Sequence, residues 1–183
     1  MDTILSVSVI DSQTFGPALG LLSVQLAQQV AQKCSPEAID MLLDKQIRIA
    51  YQLIAGSSLK YIVNPGLLSL LKTSYHSSMM INELVPFKPV AHISAETGLE
   101  VLDMIKYPEL VQSQLERYIS ERLQACGGYL TRVVILHHNM LELATKVEAF
   151  IKQLHSQTIV DVCNDDGSVG LMFGPSSLAI AMI

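Results

Sequence analysis

The most regular alternation of apolar and polar positions runs from Tyr129 to His155. A seven-residue count from Leu130 puts Leu130, Val133, His137, Met140, Ala144, Val147, Ile151 and Leu154 on one seam, and only His137 interrupts its apolar character. Leu136, Leu143 and Phe150 widen the stripe on one side and Val134 and Leu141 on the other, which predicts one long helix with a broad apolar face. A second amphipathic stretch, Glu109 to Cys126, carries Val111, Leu115, Tyr118, Ile119 and Leu123 on one face, and Gly127-Gly128 stops it. Two helices joined by so short a break predict an α-hairpin over about 109–155.

Upstream, the pattern changes several times. Residues 3–10 alternate Leu5, Val7 and Val9 with Ser6 and Ser8, a strand signature. Asp11 to Pro17 reads as a loop and Ala18 to Cys34 as an amphipathic helix. Ser35-Pro36-Glu37 is a helix start, because serine caps free N–H groups, proline has no N–H to lose there, and the glutamate faces the positive helix end. That helix is expected to continue to Ala55, ahead of Gly56-Ser57-Ser58. A strand over 59–63, a helix over 66–80, a loop over 82–89, a short strand over 90–93 and a helix over 94–106 follow. After His155 the period becomes two: Thr158 to Cys163 and Ser168 to Phe173 flank Asp166-Gly167, which predicts a hairpin, and Leu178 to Ile183 predicts a last strand.

These elements predict a single α+β domain over 1–183, with a helical layer containing the 109–155 hairpin on one face of a mostly antiparallel sheet. The N-terminal strand and the C-terminal strands form that sheet.

Composition adjusts this picture in two respects. Half of the 183 residues are apolar and only 16% are charged, below the roughly 25% usual for soluble proteins, so the chain is expected to fold and to cover apolar surface. The net charge is −5 and the cations are scattered, which does not suit a phosphate backbone; no nucleic-acid partner is expected. No run reaches the length of a membrane-spanning helix and no cation precedes Lys33, so a cytoplasmic protein is expected. Cys34, Cys126 and Cys163 form no Cys-x-x-Cys pair and are expected to be small buried hydrophobes in a reducing compartment.

Candidate chemistry is sparse. His138 and Glu142 stand four apart beside His137, the spacing of two metal ligands on a helix face, but no third ligand accompanies them. Asp161, Asp165, Asp166 and Gly167 fail as a calcium loop, since the position needing glycine is Asp166 and the one needing glutamate is Met172. Cys126 and His137 are separated by the glycine break and make no nucleophile and base. No hydrolase elbow or phosphate-binding glycine loop occurs. No catalytic, cofactor-binding or metal-binding residue is assigned, and no cofactor is expected.

The leading expectation is therefore a non-enzymatic protein–protein interaction protein, an adaptor, secretion-chaperone-like factor or assembly subunit, acting as a homo-oligomer or within a hetero-complex. Its expected interface is the seam His137, Met140, Ala144, Val147, Ile151 and Leu154. The competing expectation is a small enzyme or metal-binding protein with a site around His137, His138 and Glu142.

Overall fold

The computed structural model of the chain describes residues 7–58, 61, 87–165 and 167–183. Helix α1 (Gly16–Ala31) leads to α2 (Pro36–Ile49), which starts as its sequence requires, the Ser35 hydroxyl accepting the Ala38 N–H at 3.3 Å. α2 ends six residues before the expected stop. Ala50 turns into extended backbone, and Tyr51–Ala55 forms strand β1 because its side chains bury on both sides and its backbone pairs on both edges. Strand β2 (Lys88–Ser94) and strand β3 (Gly98–Ile105) form an antiparallel hairpin. A helix was expected over 94–106. Ser94 does cap here, accepting the Thr97 N–H at 3.2 Å, but it caps a turn that Gly98 closes at φ +68°, and Leu99, Val101 and Ile105 then alternate inward.

A short 3-10 turn (Pro108–Leu110) precedes α3 (Val111–Ala125), which ends at Gly127 and Gly128 with φ of +69° and +84°. The chain does not turn back as a helix. Residues 129–155 divide into strand β4 (Arg132–His138) and helix α4 (Leu141–Leu154), so the continuous helix expected there is corrected. Val133, Val134 and Ile135 are β-branched and favour the strand. Asn139, a residue that tolerates positive φ, turns at +56° and separates the two elements. α3 and α4 do pack side by side, with β4 between them in sequence.

Strand β5 (Ile159–Asn164) pairs parallel with β4, and the chain closes with α5 (Ser168–Phe173) and strand β6 (Ser177–Met182). The hairpin expected around Asp166-Gly167 is corrected: 168–173 is a helix that buries Val169 and Phe173. Gly167 at φ +116° precedes it, and the Asp165 carboxylate accepts the Gly170 N–H at 2.9 Å. The sheet order is β3-β2-β1-β6-β4-β5, antiparallel except for β4–β5. Residues 7–10 do not join it, and Val7 and Val9 are exposed, so the expected N-terminal strand is corrected for those positions; 3–6 lie outside the described residues, as do nearly all of the strand expected over 59–63 and the whole helix expected over 66–80.

The fold is α+β, with helices on a mixed sheet of six strands. The helices cover both faces rather than the single face expected. On one, α3 and α4 bury Leu115, Ile119, Ala144, Val147 and Ile151 against Leu53, Ile135 and Ile180. On the other, α5 packs Phe173 near Ile54 and Ala179, while α1 packs Ala18 and Leu21 near Ala50 and Ala181. Strand β6 serves both faces. It points Leu178, Ile180 and Met182 at α3 and α4, but Ala179 and Ala181 at α1 and α5, and the small residues let those helices approach the backbone. Among the described residues no helix is long and apolar enough to cross a membrane.

Candidate functional site

The face bearing α1 and α5 is incompletely covered, and the gap lies over β4 and β5. Strand alternation sends Val133, Ile135 and His137 into the core under α4 and turns Arg132, Val134, Leu136 and His138 the other way, where all four remain half-exposed. Parallel pairing sets Asp161 beside Val134 and Cys163 beside Leu136; the burial expected of the cysteines is corrected, since Cys163 is exposed and Cys34 and Cys126 are half-buried, and Ile159 is 57% exposed. The result is a trough of about 300 Å³ with Val134, Leu136 and Cys163 as floor and Gly16, Gly20 and Val24 of α1 as wall. Gly20 keeps the wall low, since a Cβ placed on it would meet nothing within 4 Å.

Charge is confined to the ends of this strip. Arg132 binds Asp161, its Nε donating to Oδ2 at 2.9 Å. His138, two residues beyond Leu136 on the same face, rests on Gly170 and stands with Nδ1 3.6 Å from the buried Asp165 carboxylate. At the start of α1, Gln52 is wholly buried and its Oε1 accepts the Ala18 N–H at 3.0 Å. Its Nε2 has no hydrogen-bond partner.

A second polar cluster sits on the opposite face at the β1–β3 side. His92 Nε2 lies 3.0 Å from Glu100 Oε2 and 3.2 Å from Thr97 Oγ1. Both partners meet the same ring nitrogen, so the imidazole does not stand between a hydroxyl and an acid as a nucleophilic triad requires. Tyr51 lies against His92 with centroids 5.1 Å apart and under Arg122 at 4.9 Å. Burial pushes the Tyr51 hydroxyl up from 10.0 to about 12, against the opposing pull of the Arg122 charge. The folded state thus favours the neutral phenol: this contribution to stability is complete below pH 10.0 and is lost as pH rises towards about 12. Urea midpoints measured across that range are expected to fall with pH, and Tyr51→Phe is expected to flatten the slope.

The residues singled out from the sequence do not converge. His137 and His138 point to opposite faces of β4, and Glu142 is on the exposed side of α4 paired with Lys146 at 2.6 Å, so they form no common centre. The buried Nδ1 of His137 has no hydrogen-bond partner. Among the described residues no group of three or more His, Cys, Asp or Glu is placed to hold a metal ion. Ala144, Val147 and Ile151 are buried against the chain's own sheet, Met140 is half-buried ahead of α4, and Leu154 is exposed; the expected seam is therefore divided between two elements. The trough residues went unnoticed in the sequence. Val133, Val134, Ile135 and Leu136 are all apolar, so the sequence carries no period of two there and the alternation between buried and half-exposed positions appears only in the fold.

The architecture is shared with solved structures of fatty-acid-binding proteins. A fatty acid binding DegV family protein from Streptococcus agalactiae superposes with a TM-score of 0.78 at 17% identity, covering 97% of this chain and 60% of that one. A DegV family protein from Eubacterium eligens loaded with heptadecanoic acid gives 0.78 at 21% identity, with 97% and 60% covered. The fatty acid kinase B3 protein of Streptococcus pneumoniae, loaded with linoleic acid, gives 0.75 at 18% identity, with 97% and 59% covered. The chain thus spans about three fifths of the length of these solved chains. No family model and no curated protein matches the sequence.

These likenesses correct the functional expectations. The structures sharing the fold are described by the fatty acids they bind, which overturns the adaptor, assembly-subunit and protein-partner reading, including its homo-oligomeric form. They equally give no support to the enzyme or metal-site alternative at His137, His138 and Glu142, which the geometry has already separated.

Proposed function

We propose that this chain binds a long-chain fatty acid, with the hydrocarbon chain lying in the trough between α1 and the β4–β5 strands. The observation that carries the reading is the trough itself: a strip of sheet left apolar and uncovered in a fold whose solved examples hold heptadecanoic and linoleic acids. Its volume of about 300 Å³ is at the lower end of the 300–1,000 Å³ typical of small-molecule sites. Each methylene taken out of water contributes about 0.8 kcal/mol, so even partial burial of an acyl chain gains several kcal/mol towards association. The chemistry required is an apolar surface and one polar anchor, with no reacting group.

Cys163 supplies the test, because it lies on the trough floor and is exposed, whereas Cys34 and Cys126 are half-buried elsewhere. Alkylation of the purified chain, followed peptide by peptide by mass spectrometry, is expected to modify Cys163 readily. With linoleic acid at ten times its Kd, labelling of Cys163 should slow about tenfold, as only the free fraction reacts, while Cys126 is unaffected. Equal labelling of Cys163 with and without saturating fatty acid overturns the trough as the site.

A further inference from the structure

We infer that the carboxylate of the bound fatty acid is received by the guanidinium of Arg132 at the end of the trough where β4 begins, an assignment that rests on the fatty-acid reading above. Of the residues lining the trough Arg132 alone is charged, and apart from the Cys163 thiol the rest of the lining is apolar or glycine. Strand alternation puts it there: Arg132, Val134 and Leu136 share one face of β4, with Asp161 and Cys163 level with the last two on β5. An ionised headgroup lowered onto apolar sheet loses its water without compensation, so the acyl chain is held there only if its carboxylate reaches a charged partner or solvent. Arg132 offers both, since its side chain is 32% exposed.

The ion pair with Asp161 leaves one edge of the guanidinium free. Nε donates to Asp161 Oδ2 at 2.9 Å and Nη2 lies 2.8 Å from the same oxygen, so Asp161 occupies the Nε–Nη2 edge. Among the described residues no acceptor is bonded to Nη1. A guanidinium carries five N–H groups in a planar fork, and its Nη1–Nη2 edge matches a second carboxylate side-on. The cation then stands between two carboxylates, and the Asp161 charge weakens the second contact without blocking it. Beyond Leu136 the strip ends differently: His138 Nδ1 is 3.6 Å from the buried Asp165 carboxylate, so an anion placed there meets a like charge. The headgroup therefore belongs at the Arg132 end, with the acyl chain extending over Val134 and Leu136 beside Gly20 of α1.

The test separates headgroup from tail by titrating the full chain with linoleic acid, at a pH where it is ionised, and with linoleyl alcohol. Arg132→Met keeps an apolar stem on the trough and removes the charge; Asp161→Asn removes the competing carboxylate. An ion pair this exposed contributes little to stability, circular dichroism and thermal melting establish that the variants are folded, and Asp161→Asn carries the test where Arg132→Met does not fold. In Arg132→Met, affinity for the acid is expected to fall about tenfold or more, the value of a hydrogen bond to a charged group, with the alcohol bound as in the parent. In Asp161→Asn the acid alone is expected to bind more tightly. Opposite shifts distinguish a headgroup contact from a structural ion pair, whose loss from either side acts alike on both ligands. Unchanged acid affinity in Arg132→Met, equal weakening of acid and alcohol, or weakening of the acid in both variants overturns the Arg132 assignment and leaves the fatty-acid reading standing. A parent chain that binds neither ligand overturns both.

Discussion

Replacing Gly20 with tryptophan is expected to abolish binding of linoleic acid while leaving the chain folded. Gly20 is on the trough wall, and a Cβ there touches nothing within 4 Å, so the backbone accepts a side chain without strain. An indole at that point covers a large part of a cavity of about 300 Å³ and adds an aromatic surface of roughly 150–250 Å² where the acyl chain would lie. The smaller change Gly20→Ala leaves most of the trough open. It is expected to raise stability by about 0.5–1 kcal/mol, the cost that glycine imposes on a helix interior, with binding nearly unchanged. Opposite effects on stability and binding from one position would assign this face of α1 to a ligand rather than to the core. Isothermal titration and urea unfolding of the two variants read the two effects separately.

The second large effect is expected in α4. Val147 is 0% exposed and packs beneath the sheet, so Val147→Glu buries an unpaired carboxylate at a cost of several kcal/mol, about the 3–5 kcal/mol of an uncompensated buried charge. Marginal stability of about 5–15 kcal/mol does not absorb that loss together with the lost packing, and cooperative unfolding in urea should disappear or move to much lower denaturant. Leu141→Glu is the control. Leu141 belongs to the same helix but is 60% exposed, and the substitution is expected to change stability by no more than about 0.5 kcal/mol. A tolerated glutamate at 147 would show that α4 does not pack as described.

The elements most legible in the sequence were those fixed by local chemistry. Ser35-Pro36-Glu37 starts α2, and Gly127-Gly128 ends α3 with positive φ at both residues. β6 matches the expected final strand to within a residue at each end. The failures share one physical origin, the tertiary pairing that decides between strand and helix for apolar stretches. Tyr51–Ala55 and Arg132–His138 are buried or paired on both edges, so their apolar residues do not alternate cleanly and can be counted into a helical stripe. Val133-Val134-Ile135 was the local evidence against a helix, and Asn139 the residue able to turn at positive φ.

The trough was less legible than the fold. Its floor comes from β4 and β5 and its wall from α1, more than a hundred residues away, so no window of sequence contains it. Gly16 and Pro17 read as a loop, although Gly16 opens α1 and both line the trough. Gln52 is the one polar side chain in the run Leu53-Ile54-Ala55 and its flank Ala50-Tyr51 that is buried with a donor unpaired. Its amide oxygen accepts from Ala18, 34 positions earlier, and only folding brings the two together.

The central claim is that the uncovered sheet between α1 and β5 holds an acyl chain. Native mass spectrometry of the purified chain, delipidated and then titrated with linoleic acid, tests it directly. One fatty acid bound per chain, retained in Gly20→Ala and lost in Gly20→Trp, is the predicted result. No bound species at any ligand concentration, or a species that persists unchanged in a folded Gly20→Trp chain, would contradict the account.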